Sequence, residues 1–79
     1  MPRGVLIPAH HIPIGKTVVF RDDYGRVTRR LQLVEREREG WYWSKNIQTL
    51  YFAPVGMIGY VGKAVKKDEY DETERLEIL

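Results

Sequence analysis

Residues 16–43 read KTVVFRDDYGRVTRRLQLVEREREGWYW, and the way this stretch pairs decides the fold. Its first run, residues 16–21, alternates, with Val18 and Phe20 on one face and Thr17, Val19 and Arg21 on the other. Asp22, Asp23, Tyr24 and Gly25 follow as a turn. Aspartate oxygens can take up backbone N–H groups there, and Gly25 can adopt a positive φ. Residues 26–38 form a second alternating run. Val27, Leu31 and Leu33 fall on one side and Thr28, Arg30, Gln32, Arg36 and Arg38 on the other, with Val34 out of step. Arg and Glu are good helix formers, but the β-branched start and the period of two favour a strand. A second turn is expected at Glu37-Arg38-Glu39-Gly40, with Gly40 left-handed in a bulged hairpin. Trp41, Tyr42 and Trp43 would then open a third strand. The whole stretch is expected to be a three-stranded antiparallel meander carrying most of the core and most of the arginines.

Working outward, Val5-Leu6-Ile7 reads as a short strand ended by Pro8, which has no N–H to give to a ladder. Residues 9–15 read as an extended connector, with Ile12 and Ile14 covering one end of the core. On the other side, Ser44-Lys45-Asn46 suggests a turn and residues 47–53 (IQTLYFA) a strand stopped by Pro54. Residues 57–67 (MIGYVGKAVKK) read as the last core strand, kinked at Gly59 and Gly62. Residues 68–74 are polar and expected to be loose; residues 75–79 (RLEIL) suit an edge strand or one helical turn.

Five or six short strands separated by Gly and Pro turns imply an all-β domain. The expected architecture is a small five- to six-stranded antiparallel barrel or sandwich, SH3-like or OB-like. It would span residues 1–67, with an acidic C-terminal tail at 68–79. Seventy-nine residues suit one domain of modest stability, about 4–10 kcal/mol. Residues 16–27, two β runs around a glycine turn, resemble the KOW-type segments of small SH3-like barrels. The basic and glycine spacing that defines those segments is absent, and no residue takes a role from them.

Charge is unevenly placed. Residues 1–67 hold twelve Lys and Arg against five Asp and Glu, a balance of +7; residues 68–79 hold one against six, a balance of −5. A basic body with an acidic appendage points to anionic partners. Arg21, Arg30, Arg36 and Arg38 are expected on the face opposite the core, and Arg26 and Arg29 at the first turn. Guanidinium groups grip phosphate bidentately, and Tyr24 and Tyr42 are placed to stack on bases. The plainer alternative is a solvated ion-pair lattice, since Glu35, Glu37 and Glu39 alternate with Arg36 and Arg38. The first-turn end, with no glutamate beside its arginines, is the better anion site. Trp41 and Trp43 share one strand face and are expected in the core, or one of them as a binding anchor.

Other chemistries find less support. His10 and His11 are adjacent and would point to opposite sides, no cysteine exists, and the one serine, Ser44, lacks a nucleophile context. Neither a metal, a cofactor nor a catalytic role is expected. The spacing Gly59-Tyr60-Val61-Gly62 matches the GxxG loop of KH domains, but no amphipathic helix precedes it. No apolar run approaches the length that crosses a bilayer, and a cytoplasmic location is expected. The expected function is a non-enzymatic module that contacts nucleic acid through arginines on a β face. The alternative is a small protein-binding or assembly factor, such as a phage or mobile-element accessory protein acting on a host protein. Exposed sheet edges also suggest a homodimer.

Overall fold

The computed structural model describes residues 4–42, 45–56 and 64–79, with backbone alone at 39–42 and 45. The chain is all-β. Its strands are β1 (Val5–Pro8), β2 (Thr17–Arg21), β3 (Val27–Tyr42), β4 (Lys45–Pro54), β5 (Lys66–Tyr70) and β6 (Arg75–Ile78). They form one antiparallel sheet in the order β1-β6-β2-β3-β4-β5, which is not closed. A 3-10 turn, Ala9–His11, follows β1 where an extended connector was expected. It is anchored by the Ala9 N–H, which donates to the Glu74 carbonyl at 2.8 Å.

Residues 16–42 hold two antiparallel strands, β2 and β3, rather than the expected three, because β3 is longer than the sequence suggests and the third strand, β4, starts at Lys45. β3 runs through Glu37, Arg38, Glu39 and Gly40 without turning, and Tyr42 pairs with Lys45. The extra residue expected to turn the chain at Gly40 is instead absorbed by an irregularity between Glu39 and Tyr42. Trp41 and Tyr42 therefore end β3 rather than open a new strand, and Trp43 and Ser44 lie outside the described residues. Beyond Gln48, β4 has no β5 partner, so residues 39–42 and 45–47 continue as a two-stranded ribbon.

One face of the sheet carries the core. Val18, Leu31, Leu33, Leu50, Phe52 and Ile78 pack there against Ala9 and Ile12, with Phe20, Leu76 and Tyr70 around them. Phe20 and Tyr70 both meet the Phe52 ring edge-on, at centroid distances of 5.2 and 6.4 Å. Edge-to-face pairs of this kind add to what area burial contributes. Ile12 closes this core from above, while Ile14 is exposed.

The C-terminal stretch departs from expectation. The last-strand reading of residues 57–67 falls largely outside the described residues; Ala64 and Val65 are not strand, and pairing to β4 is made by Lys66–Tyr70. Of the residues expected to be loose, 68–70 thus belong to a sheet edge. Arg75–Ile78 is a strand, but it lies inside the sheet between β1 and β2. Leu76 and Ile78 reach the core and Glu77 points to the other face, the period-two pattern that a helical turn would break. Among the described residues no helix is long and apolar enough to cross a membrane.

Tyr70 gives this arrangement a pH signature. Burial, followed by the nearby charge of Asp68, raises its phenol pKa well above the usual 10.0. The unfolded chain then loses this proton first, so stability falls as pH rises past about 10. Tyr70→Phe removes the titrating proton and keeps the ring. Its thermal midpoint should fall less than that of the wild type between about pH 9 and about pH 11. Parallel falls would contradict the raised phenol pKa.

Candidate nucleic-acid interface

The arginines do not share one face, and two irregularities of β3 explain why. In the first, Phe20 pairs with Arg29 and Arg21 with Val27, leaving Thr28 unmatched. In the second, Leu33 pairs with Phe52 and Glu35 with Tyr51, leaving Val34 unmatched. An unmatched residue shifts the alternation by one, so every side chain beyond it changes sides. Val34, out of step in the sequence, is buried at this bulge.

Beyond Val34, Arg36 pairs with the buried Leu50 and so falls on the core face, not on the outer face with Arg30. Its Nη2 donates to the carbonyls of Ala9 and Ile12 at 3.0 and 2.6 Å. Its Nε is buried without a partner among the described residues, as is Gln48 Oε1 on the neighbouring strand. Burial lowers the Arg36 pKa, and the charge of Arg38 lowers it further. Arg36 is thus a tie between β3 and the 3-10 turn rather than a surface cation. Arg38 follows it on the strand and is exposed. The side chain of Tyr42 is outside the described set.

Before Thr28 the same logic moves Val27. Expected in the core, it pairs with Arg21 and lies on the outer face. Arg21 is there too, and it is engaged. Its Nε and Nη2 donate to the two carboxylate oxygens of Glu77 at 2.7 and 3.0 Å, and its Nη1 donates to the Gly25 carbonyl at 2.6 Å. The Glu77 hydrogen bond holds the Arg21 pKa up. Glu77 also accepts from the Gly4 N–H at 2.9 Å, which ties β1, β6 and β2 together. Gly4 is required: a Cβ there would collide with the Ile78 carbonyl.

The first turn forms as expected. Asp22 Oδ1 accepts from the Tyr24 and Arg26 N–H groups, both at 2.9 Å, and Gly25 has φ of 81°. Arg26 pairs with Asp22 at 3.2 Å and lies over the Tyr24 ring at 5.4 Å, with Tyr24 83% exposed. An ion pair this exposed contributes little. Arg29 and Arg30 are exposed and have no ion pair among the described residues. Arg30 pairs with Val19 and shares the outer face with Arg21, whereas Arg29 pairs with Phe20 and falls on the core face. The outer-face cluster is therefore Arg26 and Arg30, with Arg29, Arg36 and Arg38 elsewhere.

Beside this cluster the outer face holds a depression of about 550 Å³. Val19, Val27 and Leu79 supply its apolar surface, and Arg21, Arg26, Arg30 and Glu77 its polar one. Val27, Leu79 and Glu77 were not marked as site residues in the sequence. Only the long-range return of β6 brings Glu77 and Leu79 to the turn. His10 Nε2 lies 3.2 Å from the Tyr70 carbonyl, and His11 is exposed. Among the described residues no group of three or more His, Cys, Asp or Glu could hold a metal ion.

Compared with protein-family models, with curated proteins and with solved structures, the chain matches none.

The two classes of arginine separate by stability. Arg36→Ala strips donors from two backbone carbonyls and should cost about 1–3 kcal/mol in chemical denaturation. Arg30→Ala should stay within about 0.5 kcal/mol of the wild type. Equal losses would put Arg36 back on the surface.

Proposed function

We propose that the chain is a non-enzymatic module that contacts nucleic acid through the β2–β3 turn. Arg26 and Arg30 would meet phosphates, and Tyr24 would stack. The observation that carries this reading is Arg30, an exposed outer-face cation beside Arg26 without an ion-pair partner among the described residues. Unpaired guanidinium groups can exchange counterions for phosphates without first breaking a protein contact. The strand order favours an SH3-like reading of the fold. β2 to β5 run as a meander, and β6 returns after a short connection to lie beside β2.

Affinity for a single strand should fall with salt at a log–log slope of about −0.7 per phosphate contacted. Arg26→Ala combined with Arg30→Ala should make that slope shallower by about 1.4. Arg75→Ala, an exposed arginine outside the cluster, should leave it unchanged. A salt-independent interaction, or a double variant with the wild-type slope, would count against the reading.

A second observation favours a protein partner, namely another copy of the chain. β1 is an edge strand whose Val5 and Leu6 are 64% and 58% exposed, whereas the opposite edge, β5, carries Lys66, Lys67, Asp68 and Glu69. Charges discourage edge-to-edge pairing and apolar side chains do not. Sedimentation should show a concentration-dependent dimer that Leu6→Lys abolishes. A wild-type monomer at all concentrations would end this second reading.

A further inference from the structure

The geometry points to the Arg21 guanidinium as a stacking plate for an unpaired base of single-stranded nucleic acid. The base enters the depression surfaced by Val19, Val27 and Leu79. This rests on the nucleic-acid reading above and gives that site its substrate class.

The argument begins with what Arg21 can still do. All three of its nitrogens already donate, and the fork that would grip a phosphate holds the two oxygens of Glu77. Glu77 is only 8% exposed, so drawing Arg21 away would strip a buried carboxylate of two charge-assisted hydrogen bonds. Arg21 is therefore a poor phosphate ligand. Its side chain nevertheless keeps 24% of its surface open and lines the depression. A guanidinium held at its edges offers its flat face, and unstacked bases pack on such faces. Glu77 and Gly25 fix the plane before any ligand arrives, so little ordering entropy remains to oppose stacking.

The surroundings select among nucleic acids. Leu79 is 66% exposed and Val27 half-buried, so an apolar surface lies open beside Arg26 and Arg30. A duplex would lay its charged backbone over that surface and leave it unfilled. A single strand can turn one base into it while its phosphates reach Arg26 and Arg30 on the rim.

The test measures the full chain by fluorescence anisotropy against three labelled probes. They are a short oligothymidylate, the same strand made abasic, and the oligothymidylate annealed to its complement. The abasic strand keeps the phosphates and lacks only the bases. Thymidylate should bind about tenfold tighter than the abasic strand, and the duplex no tighter than the abasic strand. Arg21→Lys, which keeps the charge and loses the plane, should shrink the thymidylate preference. Should that variant not fold, Leu79→Ser alters an exposed residue and should shrink the same ratio. Equal binding of thymidylate and abasic strands, or a duplex bound as tightly as thymidylate, overturns the stacking plate and leaves the arginine contact standing. Failure to bind any probe removes both.

Discussion

Val34 is one residue more than β4 can match, and the arrangement of charge depends on it. Had β3 kept strict alternation from Leu33 onward, Arg36 and Arg38 would have extended the row begun by Arg30. The bulge turns them over. Arg36 then meets the backbone carbonyls of Ala9 and Ile12, which a 3-10 turn leaves without ladder partners. One inserted residue thus removes two cations from the outer face and supplies a donor to the segment that covers the core. The same segment places Ile12, fully buried, over the Leu33, Leu50 and Phe52 side chains.

At the other end of β3 a second constraint operates. β6 is held to β2 by few ladder pairs, Val18 with Ile78 and Val19 with Glu77. The Arg21–Glu77 fork adds a side-chain tie at that seam, and the Gly4 N–H extends it to β1. The tie sits at the mouth of the outer-face depression. The residue that locks three strands therefore also shapes the candidate binding surface. Arg30, which lines the same depression and locks nothing among the described residues, remains free for a ligand.

Much of the local structure was legible because it follows from nearest neighbours. The Asp22–Gly25 turn and the buried positions Val18, Leu31 and Leu33 need only alternation and turn chemistry. What was not legible is non-local. A bulge leaves no mark in a pattern of apolar and polar residues except one misplaced valine, so Arg36 was put outside and Val27 inside. Residues 68–79 read as an acidic appendage because their charge masks their alternation. Leu76 and Ile78 reach the core, while Glu77 between them meets Arg21. No reading confined to one strand could have paired Arg21 with a carboxylate 56 residues away.

That pairing changes how the net charge should be weighed. A balance of +7 over residues 1–67 suggests a broad electrostatic field. Folding returns Glu77 to Arg21, lets Asp22 meet Arg26, brings Asp68 to Lys66, and turns Arg36 toward backbone carbonyls. At physiological salt, charges beyond about 8 Å are largely screened. A ligand at the first turn therefore responds to Arg30 and the loosely paired Arg26, not to the sum over the chain. With so few cations in reach, phosphate contacts alone would hold a strand weakly. An open apolar surface beside them is what would let so small a basic cluster hold one.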